Sequence, residues 1–228
     1  MATLTWLGHA SFRLDTDDGK RIYVDPWLNG NPKTPESEKD PERCDVIAVT
    51  HGHGDHTGDV VEISKKFPDA KIVAMVELKP WFGSQGAHVD DLPGINKGGT
   101  QEIDGTKFTL VDARHSSGTP DGSYGGSAAG LVIRTGGKSV YFAGDTAVFG
   151  DMALIARLYK PDVAVLPIGD WFTMGPEEAA VALELLGEPR CVPCHYGTFP
   201  IVSGTPEELE KLTSAKIEAI QPGESIDL

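Results

Sequence analysis

Basic residues are scarce in this chain of 228 residues: 20 lysines and arginines stand against 34 aspartates and glutamates, a formal net charge of −14. Phosphate backbones are held by a basic face, so this balance argues against unaided nucleic-acid binding. It also opposes docking to an anionic membrane. Long hydrophobic runs are missing, none approaching the roughly 20 residues that span a bilayer. The first residues, Met1 to His9, lack a basic stretch followed by an apolar one, so no signal peptide is expected. Cysteine is limited to three residues, an odd number that gives no disulfide framework and suits a reducing compartment. The expectation is a soluble cytoplasmic protein. Its apolar content of 39% and charged content of 24% are ordinary for one.

What is present is a succession of short strands and helices without a clear linker. Runs rich in Val, Ile, Phe and Tyr, bounded by Gly, Asp or Pro, predict strands at 4–7, 11–14, 21–24, 45–49, 71–74, 108–111, 129–133, 139–142, 163–166 and 190–193. Helices are predicted at 59–67, 152–159, 176–186 and 206–215. The last two open on Gly175-Pro176-Glu177-Glu178 and Thr205-Pro206-Glu207-Glu208, with Pro and acids in a first turn, as the helix dipole favours. Residues 29–43 are Pro-rich and charged and read as a surface loop. The two halves read alike, strands first and then strands mixed with helices. That pattern predicts a single α/β domain over residues 1–228 with helices outside two sheets.

The chemistry is concentrated in Thr50-His51-Gly52-His53-Gly54-Asp55-His56-Thr57, three histidines and an aspartate directly after the apolar run Val46 to Val49. Imidazoles so crowded repel one another when protonated, whereas a divalent metal accepts neutral imidazole and carboxylate together. The interposed glycines let a tight loop aim several side chains at one point. His115, Asp145 and His195 each fall just past the end of another predicted strand, where ligands gather in α/β sheets. Five imidazoles and two carboxylates would satisfy two metal ions sharing a carboxylate and a water, about 3.5–4 Å apart.

His51-x-His53-x-Asp55-His56 followed by His115, Asp145 and His195 resembles the metallo-β-lactamase superfamily. The match runs from Gly8-His9 to His195-Tyr196-Gly197-Thr198-Phe199. Within that superfamily the chain is similar to the predicted metal-dependent hydrolases that resemble L-ascorbate-6-phosphate lactonase. The resemblance implies a four-layer αβ/βα sandwich (the metallo-β-lactamase fold) with the metals at one edge of the two sheets. It implies that His51, His53 and His115 hold one divalent transition-metal ion, Zn2+ with Mn2+ or Fe2+ as alternatives. Asp55, His56 and His195 would hold the other, with Asp145 bridging. The activity implied is hydrolysis of a small ester, lactone or phosphate ester by a metal-activated hydroxide. A centre with two ions, two carboxylates and a hydroxide carries a charge near about +1, so an anionic small-molecule substrate is admissible. The proton for the leaving group would come from bridging water, Asp55 or His9.

Several features carry a plainer alternative. His9 is either a turn histidine or a catalytic group acting on substrate or behind a ligand. Asp25 either caps a turn or orients a ligating imidazole. His88 has no companions and reads as a surface residue. Cys191-Val192-Pro193-Cys194-His195 matches the haem-attachment pattern and contains a CxxC pair, but it also reads as a buried strand using cysteine as a small hydrophobe. Residues 169–175, Tyr196 and Thr198 either plug a sheet edge or wall a pocket. Three rivals accompany the hydrolase reading. A non-catalytic metal-binding or sensing protein could use the same fold. A nuclease or phosphodiesterase member would need a basic groove, and a flavin-linked di-iron oxygen reductase would need a further domain. An acidic chain with an edge strand could also form a homo-oligomer.

Overall fold

A computed structural model describes residues 1–228. Strands β1 (Thr3–Gly8), β2 (Ser11–Asp15) and β3 (Arg21–Val24) form an antiparallel meander, and β4 (Val46–Ala48) and β5 (Lys71–Val73) extend it in parallel beyond β3. Helices α1 (Gly54–Thr57) and α2 (Val60–Lys66) make the β4–β5 crossover, and α3 (Leu78–Ser84) follows. The second sheet repeats this plan. Its β6 (Thr100–Ile103), β7 (Thr106–Asp112), β8 (Ala129–Thr135) and β9 (Lys138–Phe142) are antiparallel neighbours. Parallel β10 (Val163–Pro167) and β11 (Arg190–Cys194) follow through the crossover helices α4 (Met152–Tyr159) and α5 (Pro176–Leu186). After α6 (Pro206–Glu210), β12 (Ser225–Asp227) returns to pair with β1, so the strand orders are β12-β1-β2-β3-β4-β5 and β11-β10-β9-β8-β7-β6.

The layers follow from the period of two along the strands of the second sheet. Leu131 and Ile133, Val140 and Phe142, and Val163 and Val165 belong to one core cluster, while the intervening Val132, Tyr141, Ala164 and Leu166 belong to another. The first cluster fills the space between the sheets, where Phe12 of β2 meets Phe142 of β9 edge to face at 5.7 Å, and continues to Val60, Ile63 and Phe82 of α2 and α3. The second joins β8–β11 to Met152, Ile155, Ala179 and Leu183 of α4 and α5. Because both faces of the sheets are covered, their strands read as nearly continuous apolar runs. The result is the αβ/βα sandwich.

Three local expectations change. The helix predicted at 206–215 stops at Glu210, because Thr213 and Ser214 turn their hydroxyls to other partners: Thr213 Oγ1 accepts from the Ala215 N–H at 3.2 Å and Ser214 donates to Glu188. Strands β6 and β12 and helices α1 and α3 were not predicted. β6 is a polar edge strand, β12 has three residues, and α3 contains Pro80 and Gly83 in a segment that reads as a loop. The 29–43 segment lies outside the sheets but is pinned to β1: Asn31 Nδ2 donates to the Gly8 carbonyl at 3.1 Å and Thr34 Oγ1 to that of Leu7 at 2.7 Å.

That pinning sets the turn before His9. Gly8 has φ +101°, and a Cβ there would sit 2.9 Å from Lys33 Cβ. Gly8→Ala should cost about 1–3 kcal/mol of stability and lower the thermal midpoint by several degrees in a calorimetric scan. A midpoint within about one degree of the parent contradicts this account of the turn.

Candidate metal centre

Strand direction brings the site together. In the first sheet β1 and β3 run the same way because β2 is antiparallel to both, and β4 is parallel to β3; in the second, β7, β9 and β11 agree for the same reasons. Each of these six strands hands over to a loop at its C-terminal end. The loops carry His9, Asp25, the 51–56 cluster, His115, Asp145 and His195 in turn. Asp145 lies at the middle. Its Oδ2 is 3.2 Å from His195 Nε2, 3.5 Å from His115 Nε2 and 3.8 Å from His51 Nε2, and its Oδ1 is 3.3 Å from His56 Nε2. His51 Nε2 lies 3.0 Å from His53 Nδ1, and Asp55 Oδ2 is 3.8 Å from His195 Nε2. All seven predicted ligands therefore converge.

The donor atoms fall into sets able to hold an ion: His51, His53, His115 and Asp145; His56, Asp145 and His195; and His9, Asp55 and His195. Donors bound tetrahedrally at about 2.0–2.1 Å lie about 3.3 Å from one another, the spacing seen here. Fit to a metal is also visible in what lacks a partner. His56 Nε2, Asp145 Oδ1 and both His195 ring nitrogens are buried with no hydrogen bond. The 3.3 Å approach of His56 to Asp145 is out of line for one. Buried polar atoms are nearly always satisfied, and three orphans that lie together, His56 Nε2, Asp145 Oδ1 and His195 Nε2, mark a place for cations.

Charge follows the same geometry. Burial and the adjoining His56 hold His51 well below the ordinary histidine value, and burial lowers His53 and His115 as well, so all three favour the neutral form that ligates. Burial acts in the same sense on His56 but is outweighed by Asp145 and Asp25, which raise it. For Asp145 burial favours the neutral acid, yet His195 and His56 hold the carboxyl well below its usual range. Asp55 is likewise lowered, against its burial, by His9.

Behind the donors stands a second row. Asp25 Oδ2 accepts from His56 Nδ1 at 2.8 Å and from Thr50 Oγ1 at 2.6 Å, while its Oδ1 accepts the Thr50 N–H at 2.8 Å. A proton on Nδ1 of His56 leaves Nε2 as a lone pair aimed at the centre. The orienting alternative for Asp25 is the one observed. Thr50 also touches His51 Nδ1 at 3.1 Å; its position immediately before His51 was the available signal. His9 is fully buried, with Nε2 3.0 Å from Asp55 Oδ2 and Nδ1 2.9 Å from Thr198 Oγ1. Burial pushes its pKa down to about 4, so the neutral ring donates from Nε2 and accepts the Thr198 hydroxyl proton. Thr198 thus belongs to the site, whereas Tyr196 stacks on Trp6 at 5.3 Å.

Gly52 and Gly54 do not have positive φ. Gly52 instead makes room: a Cβ there would lie 3.1 Å from the Ser117 carbonyl. Cys191 and Cys194 are free and buried in different core clusters, on opposite faces of β11, so they cannot pair locally. Burial pushes both thiols above their usual range, and they pack as hydrophobes. His88 is exposed and belongs to none of these donor sets. In the 169–175 segment Met174 is core, while Trp171 and Phe172 stand in solvent. No helix is long and apolar enough to cross a membrane.

His53, Asp55 and His115 are only partly buried, so the cluster opens on that side, and a cavity of about 560 Å³ adjoins His115. A larger one of about 880 Å³, near the N-terminal ends of α5 and α6, has no histidine in its wall.

Residues 20–196, which include all seven predicted metal ligands but not the candidate catalytic residue His9, match the model of the beta-lactamase superfamily domain. The chain belongs to the beta-lactamase superfamily. It is 45% identical to a UPF0173 metal-dependent hydrolase of Koribacter versatilis, over 97% of this chain and 96% of the relative. Another from Herpetosiphon aurantiacus is 48% identical over 98% and 96%. Among solved structures it is similar to Igni18, a metallo hydrolase from the archaeon Ignicoccus hospitalis, with TM-score 0.87 and 36% identity over 99% of this chain and 97% of that one. The superfamily's sandwich is thus confirmed by fold as well as by sequence.

Removing a carboxylate that orients a metal-binding imidazole commonly costs about 10–100-fold in affinity. Asp25→Ala should weaken zinc binding by that factor in a competition titration against a chromophoric chelator. Unaltered affinity would remove Asp25 from the site.

Proposed function

We propose that the chain is a dinuclear metal-dependent hydrolase acting on a small ester, lactone or phosphate ester. The observation that carries the reading is the set of buried, partnerless imidazole and carboxylate atoms converging around Asp145. His51, His53 and His115 would hold one ion and Asp55, His56 and His195 the other, with Asp145 between them. Two divalent ions there would supply an activated water and polarise the scissile group.

The chain's own residues supply the remainder. Asp25 and Thr50 orient His56 and His51, so their donor atoms need not reorganise when charge develops. Asp55 is about a third exposed and the carboxylate best placed to take or give a proton at the open side. His9 has no exposed surface from which to meet a substrate. It acts as a positioning residue, donating from Nε2 to Asp55 and held in that tautomer by Thr198. A purely structural metal site closes all positions with protein ligands; the open side at His53, Asp55 and His115 favours turnover. The cations near it are too few to track a nucleic-acid backbone, which favours a small-molecule substrate.

The test is a screen of esters, lactones and phosphodiesters with zinc, manganese and iron supplied in turn, run on the parent and on His53→Ala. The parent should turn over one class, and the variant should lose both metal and rate, the rate by at least about a hundredfold. Equal turnover by both proteins would falsify the assignment of His53.

A further inference from the structure

The cavity beside His115 contains a feature that a metal centre does not require. Lys97 and Arg114 both line it, sharing one carboxylate: Lys97 Nζ is 2.6 Å from Asp112 Oδ1, and Arg114 Nε is 3.0 Å from Asp112 Oδ2. Two cations against one acid leave this wall with an excess positive charge, in a chain whose net charge is −14. No other acidic residue lines the cavity.

The arrangement is held in place. The Arg114 N–H donates to Thr146 Oγ1 at 2.9 Å and its carbonyl accepts from the Ala147 N–H at 3.2 Å, next to Asp145. Its guanidinium lies 5.7 Å from the centre of the Phe149 ring. Nε is the guanidinium atom paired with Asp112, and the side chain is 59% exposed, so its planar fork is accessible to a carboxylate or phosphate. Tyr124, 72% exposed, offers an aromatic face in the same cavity, and His115 connects the cavity to the donor cluster 3.5 Å from Asp145.

We infer that Lys97 and Arg114 form an anion-recognition subsite that binds a carboxylate or phosphate group on the non-reacting part of the substrate, with Tyr124 covering its body. This rests on the hydrolase reading for what happens at the neighbouring centre, and it narrows the substrate to a small molecule with an anionic tail. The bland alternative is an ion-pair triad that braces the end of β7. It predicts that loss of Asp112 only destabilises the protein.

Two measurements test the subsite. In the first, the metal-loaded protein hydrolyses mono-4-nitrophenyl succinate and neutral 4-nitrophenyl butyrate, and the ratio of their kcat/KM values is compared among variants. A hydrogen bond to a charged group is worth about tenfold in such a ratio. Lys97→Ala and Arg114→Ala should each reduce the preference for the anionic ester by that factor, through KM, and Asp112→Asn should raise it. A ratio unchanged in the first two, or lowered in the third, overturns the inference. In the second, phenyl phosphate is titrated into metal-free protein and followed by amide and side-chain shifts. Shifts should centre on Lys97, Arg114 and Tyr124 and vanish in the doubly substituted Lys97→Ala, Arg114→Ala protein. Their absence in the parent overturns the subsite. Shifts in a protein that cleaves no ester, lactone or phosphodiester uphold the subsite and remove the hydrolase reading instead.

Discussion

One buried carboxylate organises this molecule's chemistry. Asp145 is almost wholly enclosed, yet four imidazoles from three other loops approach its two oxygens within 3.2–3.8 Å. So many polar groups cannot be dehydrated together without strong compensation. Protein hydrogen bonds provide little of it, because several of the atoms have none. Cations provide it, and the fold can be understood as the apparatus that keeps the donors in place.

That apparatus is strand direction. A hairpin partner between β1 and β3, and another between β7 and β9, makes six strands co-directional and ends them at one edge. The sheets are buried on both faces, so the strands resist shifting in register and their ends are fixed points. The loops beyond them then bear the cost of function. His9 and His195 have φ of 53° and 55°, and Asp25 has 47°. Such left-handed backbone is costly for residues other than glycine, and the His195 N–H donates to the His9 carbonyl at 2.9 Å to secure two of these three.

Much of this was legible in the sequence. The donor set could be read because His and Asp recur just past apolar runs, a pattern that needs no knowledge of the pairing. Strands buried on both faces were legible from their continuous Val and Ile content. Less visible was what depends on tertiary approach. Thr50, Thr198, Asn31 and Thr34 are ordinary polar residues whose importance lies in partners 23 to 189 positions away, the longest separation being that of Thr198 and His9. Gly52 was legible as a glycine but not for its reason, since the neighbour that excludes a Cβ comes from the 117–119 loop. The 206–215 helix was over-read because capping at Thr205 is local, while the partners that end the helix include Glu188. The CxxC pair was legible as a buried strand using cysteine as a hydrophobe, although only strand geometry shows the two thiols on opposite faces.

The most direct measurement of the central claim is metal content by mass spectrometry after loading and desalting, for the parent and for Asp145→Ala. The account predicts about two ions per chain in the parent and a substantial loss in the variant, because two of the three donor sets include that carboxylate. A parent with no bound metal, or a variant that retains its full complement, would contradict it.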